Sequence, residues 1–368
     1  MADTYRRLGI VYRLATAEDG AEIRAAMREN PMDSWVFATL EYDPSCLAGK
    51  EPGRFVPMLA RNAERPHELA GIYGCQFTSV HVNGQATEAC YLGRLRLCGQ
   101  YRGRPNVLKG GFESLPHLLP EIGTIPVIFT SIAKENKRAR RILEAGLKGM
   151  PRYSFIGEME TFIVSVRRGR KSGLLERASL SDVPELTAFH NKTMAHTFLA
   201  PVLDEAWLES MIRNAWMDFF VHRVEGRIKA CIAVWDQRAY KQIIIHGYRQ
   251  PLGMLRPFHN LWAQIAKRPL WPVAGERLQQ VFLAFRAFDA SVADKEALFI
   301  SEALVAAKNI GADSALLGVA PASPQYLELK RTLKPYIYAT RIEMVDLCPP
   351  SCPTSDISGG CQPEVALL

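Results

Sequence analysis

Residues 91–111, YLGRLRLCGQYRGRPNVLKGG, contain the groups best suited to holding an anion. Up to Cys98 the side chains alternate. Tyr91, Gly93, Leu95 and Leu97 share one face, and Leu92, Arg94, Arg96 and Cys98 share the other, the pattern of a β-strand. The alternation stops at Gly99. Gln100-Tyr101-Arg102-Gly103-Arg104 then reads as a short basic loop, and Pro105 stands where the first residue of a helix is often found. A strand entering a helix through such a loop leaves backbone N–H groups unpaired, and the helix dipole adds partial positive charge there. Arg102 and Arg104 bring formal charge beside those donors. The chemistry offered is the binding of a phosphate-bearing ligand; the alternative is an ordinary connection with a solvated basic loop.

Other reactive residue types are scattered. His190, His196, His222, His246 and His259 show no paired spacing, so no metal site is expected. Cys46, Cys75, Cys90, Cys98 and Cys231 lie in apolar or strand-like segments and read as reduced, mostly buried thiols of a cytoplasmic protein. Cys348, Cys352 and Cys361 fall in a Pro/Ser/Gly-rich stretch, residues 348–368, expected to be a disordered tail. No Ser–His–Asp or Cys–His pattern is evident, which argues against a nucleophilic side chain that forms a covalent intermediate.

The chain has 368 residues, 48% hydrophobic and 23% charged, a globular composition long enough for two domains. No apolar run approaches the roughly 20 residues of a spanning helix, and the first residues lack the apolar core of a signal peptide. The formal net charge of +7 favours an anionic partner. Residues 134–141, KENKRARR, and 167–171, RRGRK, concentrate that charge.

Several elements must position the anion loop. Residues 68–82 and 85–98 read as two strands joined by Asn83-Gly84, a strong hairpin signal. Residues 124–132 read as a buried strand, 135–145 as a helix, and 153–166 as a strand pair closing the first unit. Residues 31–57, with Pro, Gly and aromatics, read as an irregular, partly helical region. Thr16-Ala17-Glu18-Asp19 with Glu22 and Ile23 matches Ser179-Leu180-Ser181-Asp182 with Glu185 and Leu186: a strand exit, a cap and a helix, occurring twice. The repeat suggests two copies of one unit, residues 1–166 and 174–347, with the boundary at 167–173. A hairpin across Glu225-Gly226, an insertion at 251–275 that is helical around 258–267, and a strand at 279–288 are expected in the second copy.

Gln100–Arg104 resembles the pyrophosphate-binding signature Q/R-x-x-G-x-G/A of the GNAT N-acyltransferase superfamily, with Pro105 in place of the last small residue. Asn136, Ala139 and Ile142 resemble a second GNAT pattern, N-x-x-A-x-x-L/F. The resemblance implies a mixed α/β fold of two GNAT-like units in tandem. It implies an acyl-CoA donor, its pantetheine along the strand at Leu95 and Leu97, its diphosphate at Gln100, Tyr101, Arg102, Gly103 and Arg104, and Asn136 at its border. It further implies an oxyanion donor among the strand's N–H groups. Leu143 stands where the family often has a Tyr that protonates the leaving thiolate, so Tyr153 is the substitute acid. Glu41 and Glu88 are the candidate bases for the attacking amine. Asp33, Trp35 and Tyr42 join Glu41 as candidate acceptor contacts. Asp289 and Asp294, at the corresponding loop of the second copy, would repel phosphate, so that copy is expected to have lost its donor site. The expected acceptor is an amine on a small molecule. Aminoacyl-tRNA or an acyl carrier protein as donor, and a non-catalytic binding module, remain open alternatives.

Overall fold

The computed structural model describes residues 4–31, 36–42, 49–347 and 360–368. Thirteen strands form one mixed sheet, and two more form a small antiparallel pair. In chain order the elements of the first half are β1 (Thr4–Arg7), β2 (Ile10–Leu14), α1 (Gly20–Glu29), β3 (Val36–Tyr42), β4 (Arg54–Asn62), β5 (Leu69–Val82), β6 (Gln85–Leu97), α2 (Pro105–Leu118), β7 (Val127–Ala133), α3 (Lys137–Leu143) and β8 (Arg152–Ser165). The second half has β9 (Glu176–Arg177), α4 (Val183–Met194), α5 (Glu205–Arg213), β10 (Met217–Val224), β11 (Arg227–Trp235), β12 (Lys241–Tyr248), α6 (Leu252–Ile265), β13 (Gln280–Phe288), α7 (Glu296–Asn309), β14 (Ser314–Val319), α8 (Tyr326–Leu333) and β15 (Tyr336–Asp346).

The large sheet runs β1-β2-β4-β5-β6-β7-β15-β8-β14-β13-β11-β10-β9. Its centre is an approximate two-fold between β15 and β8. On one side β6 and β7 pair in parallel over three residues, Ala89↔Val127 to Tyr91↔Phe129. On the other, β13 and β14 do so from Gln280↔Ser314 to Phe282↔Leu316. Beyond those residues each pair separates, leaving two wedge-shaped openings in one sheet. All other neighbouring strands are antiparallel.

Local chemistry explains much of this. Asn83 (φ +50°) and Gly84 (φ +86°) make the tight β5–β6 turn, and Glu225 and Gly226 do the same between β10 and β11. Thr16 with Asp19, and Ser179 with Asp182, form equivalent capping boxes ahead of α1 and α4. The internal repeat is therefore structural. Buried apolar residues cover both faces of the sheet, with Val127, Phe129, Met159, Ile342 and Met344 joining the halves in one core.

Five expectations are corrected. Residues 153–166 are not a strand pair: 153–165 belong to one 14-residue strand, β8, which pairs with β14 and β15, and Val166 opens a 3-10 turn. Since β15 lies between β7 and β8, the halves exchange their closing strands and the cut at 167–173 does not divide the sheet. Within the irregular region, residues 36–42 form β3, whose partner β12 is some two hundred residues away. The helix expected over 135–145 is shorter, residues 137–143. Residues 360–368, expected to be disordered, are packed: Cys361, Val365 and Ala366 are buried in the shared core. Asp33, Trp35, Cys46, Cys348 and Cys352 lie outside the described residues.

Candidate active site

In the first wedge Tyr91 meets Ser131 at 2.8 Å and Thr130 Oγ1 donates to Leu92 O at 2.6 Å, both next to the last parallel pairing. Cys98 follows β6 and caps a 3-10 turn over Gly99–Tyr101 that leads to α2, with Pro105 in its first turn. Tyr101 is buried and its phenol accepts from Asn62 Nδ2 at 2.7 Å, pinning the loop to β4. Gln100 donates to Glu68. Arg102 turns back to the end of α1 and donates to Asn30 Oδ1 through Nε (3.1 Å) and Nη2 (2.5 Å). Gly103 has φ +82°, a backbone that only glycine adopts without strain, and a Cβ there would lie 2.6 Å from Arg138 Nη2. That closeness brings the two motif segments together: the guanidinium of α3 stands over the loop of α2. Arg104, exposed, lies with its guanidinium 5.4 Å from the Tyr101 ring.

One expectation about this loop is corrected. The N–H groups of Arg102 and Arg104 are used inside it, donating to Gly99 O (3.2 Å) and Tyr101 O (3.1 Å). Among the described residues the N–H of Gly103 and that of Asn106, in the first turn of α2, have no main-chain acceptor. These, with Arg104 and Arg138, are the anion donors that remain. Asn136 does not face a wedge through its carbonyl; its Oδ1 caps α3 by accepting from Ala139 N at 3.0 Å. Leu143 is buried against Leu108 and Ile132, a core position.

The strand itself carries a bulge. Gly74 pairs with Gly93 and Ile72 with Arg96, so Arg94 and Leu95 together face one residue of β5. Arg94 takes φ +59°, and Leu95 is 36% exposed at the wedge. Arg94 stacks its guanidinium on Phe55 (3.6 Å) and Tyr42 (4.3 Å). Arg96 lies beside Tyr91 and Tyr338, and burial lowers its pKa from the ordinary value while those phenols oppose the fall.

Sequence reasoning missed the group beyond Arg94. Lys241, the first residue of β12, donates to the main-chain oxygens of Ala366 (3.2 Å) and Leu368 (3.3 Å). Burial pulls its ammonium down to about 8; the Glu51 carboxylate opposes that shift and Arg94 adds to it. Glu51 has a buried Oε1 without a hydrogen-bond partner among the described residues. Tyr240, also buried, has its phenol pushed well up by burial, with Glu51 and Tyr42 contributing. These residues meet only because β3 pairs with β12, a contact that no local pattern announces.

The expected catalytic residues fare differently. Glu41 is buried, but Arg28 Nε donates to it at 2.5 Å and Thr39 Oγ1 at 3.0 Å, so it is already occupied. Glu88 is exposed on β6 opposite Ser79, near the hairpin turn and away from the bulge. Tyr153 packs edge-on to Phe112 at 6.4 Å under α2, its phenol raised by burial.

The second wedge is filled from within. Its bulge falls at Phe285 and Arg286, which together face one residue of β11. Arg286 reaches across to the Gly318 carbonyl on β14 and pairs with Glu296 at 2.6 Å. Residues 360–368 enter alongside: Cys361 bridges to Phe198, and Glu364 Oε2 accepts from Phe285 N at 2.9 Å. His190, Met194, Phe285, Arg286 and Glu364 line the small cavity that is left. In the loop after β13, Asp289 is held by Ser291 and by Lys229 (3.1 Å).

No protein-family model matches the sequence, and no curated protein does. Solved structures do. N-myristoyltransferase of Saccharomyces cerevisiae with bound myristoyl-CoA aligns over 94% of this chain and 85% of that one, at TM-score 0.62 and 10% identity. A second structure of that enzyme aligns over 94% and 81%, at 0.61 and 11%. A probable N-acyltransferase from Enterococcus faecalis aligns over 92% and 72%, at 0.50 and 10%. At such identities the likeness is one of fold: this chain carries the GNAT fold in tandem, as a mixed α/β structure.

Proposed function

We propose that this protein is an N-acyltransferase that holds an acyl-CoA in the first wedge and passes its acyl group directly to an amine. One observation carries the reading. Gly103, in its left-handed backbone under Arg138, joins the two motif segments at the mouth of the first wedge, whose cross-strand links, Tyr91 to Ser131 (2.8 Å) and Thr130 to Leu92 O (2.6 Å), lie next to the last parallel pairing. The diphosphate would lie at Gly103, Arg104, the first turn of α2 and Arg138, flanked by Gln100, Tyr101, Arg102 and Asn136. The pantetheine would follow β6 past Leu97 and Leu95. The structural neighbours with bound myristoyl-CoA support that class of donor.

The chemistry follows from the bulge. The thioester carbonyl would meet a backbone N–H of β6 near Arg94, which would bind the oxyanion as the amine attacks. The amine nitrogen forms a bond to the carbonyl carbon, the C–S bond breaks, and the CoA thiolate leaves with the electron pair. An alkyl ammonium must first lose a proton, since its pKa is near 10.4. Glu51, with an unpartnered buried oxygen beside Lys241, is better placed to take it than Glu41 or Glu88.

We assign the acceptor as an amine on a small molecule, because residues 360–368 fill the second half's opening and leave only a small cavity. Engaged charges weigh against a tRNA-borne donor: Lys134 pairs with Glu158 and Arg140 with Glu144. The unpaired thiols of Cys75 and Cys90, side by side on β5 and β6, support a reducing compartment. The test is release of free CoA thiol from acetyl-, octanoyl- and myristoyl-CoA in the presence of amine panels. Turnover with small amines supports the assignment. Turnover only with peptides bearing a free amine moves the acceptor to a macromolecule, and none with any acyl-CoA overturns the reading.

A further inference from the structure

Helix α6 is inside out. Its inward face is polar and aromatic: His259 stacks on Trp271 with ring centroids 3.9 Å apart and reaches Tyr336, Asn260 exchanges two hydrogen bonds of 2.9 Å with the Trp271 backbone, and Arg256 donates to Trp271 O at 3.3 Å. Its outward face is apolar. Met254 (71% exposed), Phe258 (73%), Leu261 (64%) and Ile265 (81%) recur at the spacing of one helical stripe, with Leu255 and Trp262 beside them. A surface helix ordinarily turns its apolar stripe to the core. Here the anchoring residues are polar and six large apolar side chains face outward, which marks a surface meant to be covered.

The surrounding charge says by what. Residues 237–275 contain six Lys or Arg and no Asp or Glu. At the C-terminal end of α6, Arg167 donates to Ala263 O (3.4 Å) and Arg268 O (2.7 Å), Arg168 to Ala266 O (2.8 Å), and Arg268 to Lys334 O. Lys267 and Lys334 are exposed beside them. Among the described residues none of these five cations pairs with an acid. Arg168 has its pKa lowered by burial and by the nearby Arg268, a sign of crowded like charge. The basic cluster at 167–171 thus belongs to this surface.

We propose that α6 docks onto an anionic phospholipid surface, lying in the interface plane with Phe258, Leu261, Trp262 and Ile265 among the acyl chains and the five cations against the headgroups. A helix about 21 Å long with bulky apolar residues on one side and cations at its rim suits that geometry. An apolar protein groove would match the stripe but leave the cations uncompensated.

The test is co-sedimentation of the full chain with phosphatidylglycerol/phosphatidylcholine vesicles and with pure phosphatidylcholine vesicles. Binding at least about tenfold stronger to the anionic vesicles, and weakened by salt, is expected. A Phe258→Glu/Ile265→Glu variant should lose it while keeping the wild-type melting temperature, since both side chains are exposed. Lys267→Ala/Lys334→Ala should retain a reduced, less salt-sensitive binding. Equal binding by the Phe258→Glu/Ile265→Glu variant, or no binding by the wild type, overturns the proposal. So does a wild-type dimer in solution that this variant makes monomeric, which would assign the stripe to a second copy of the chain.

Discussion

Arg94 and Phe285 occupy the same place in the two halves. Each stands three residues past the last parallel pairing of its wedge, after Tyr91 and Phe282, in left-handed backbone at φ +59° and +48°. Neither is glycine, so each turn is held by its surroundings. Ahead of Arg94 the strands are linked through Thr130 and Leu92; beside Phe285 they are linked by Arg286, with Glu364 on the bulge. One duplicated unit is thus closed by different residues in its two halves.

The bridge across the second wedge is an ionic one. Arg286 and Glu296 are both buried, and burial holds the Glu296 pKa above its ordinary value despite the guanidinium. Arg286→Ala strands that carboxyl and should cost about 3–5 kcal/mol in urea unfolding. Donor affinity should be unchanged. An Arg286→Met/Glu296→Leu variant should recover most of the stability, because the uncompensated charge is gone.

Glu364 ties residues 360–368 to the bulge. Glu364→Ala leaves the Phe285 N–H without its acceptor and should cost about 1–3 kcal/mol. Limited proteolysis should then cut beyond residue 347 faster than in the wild type. Glu364→Gln keeps an acceptor oxygen and should behave much more like the parent. Equal protection in all three would refute the tether.

His190 gives a pH dependence of known sign. It is fully enclosed, edge-on to Phe285, and burial pulls it down to about 4 from the usual 6.5. Its folded pKa is depressed, so the unfolded chain binds the extra proton between those values. Stability is complete above about pH 6.5 and falls as pH drops to 4, by about 2–4 kcal/mol in all. Comparing urea midpoints at pH 7 and pH 5 should show a smaller acid loss in His190→Gln than in the wild type, whatever the variant's stability at pH 7.

The amine-activating role proposed for Glu51 separates from binding. Glu51→Gln should leave acyl-CoA affinity intact and lower kcat/KM by about 100-fold or more, with partial relief at high pH where the amine is already neutral. Glu41→Gln should instead lower stability, through Arg28, and change the pH profile little.

Legibility in the sequence followed the range of the interactions. The Asn83-Gly84 turn, the repeated capping boxes and the passage from β6 through Gly103 to α2 are set by neighbours within a few residues, and they read correctly. The placement of β8 beside β14, and of β3 beside β12, depends on partners far along the chain, and nothing local in Arg152–Ser165 or Val36–Tyr42 names them. Glu51 and Lys241 stayed hidden for the same reason. Residues 360–368 were obscured by the Pro/Ser/Gly-rich stretch before them. The apolar Val365-Ala366-Leu367-Leu368 run after the acid Glu364 was the available signal.

The central claim is that the first half holds the donor through Gly103. Calorimetric titration of acetyl- and myristoyl-CoA into the wild type, Gly103→Val, Arg138→Ala and Asp289→Ala tests it most directly. The account predicts saturable binding of at least one acyl-CoA, unchanged in Asp289→Ala. Arg138→Ala should weaken it by about 1.5–3 kcal/mol, and Gly103→Val should abolish it while the protein stays folded. Undiminished binding by Gly103→Val, or binding lost in Asp289→Ala, would contradict it.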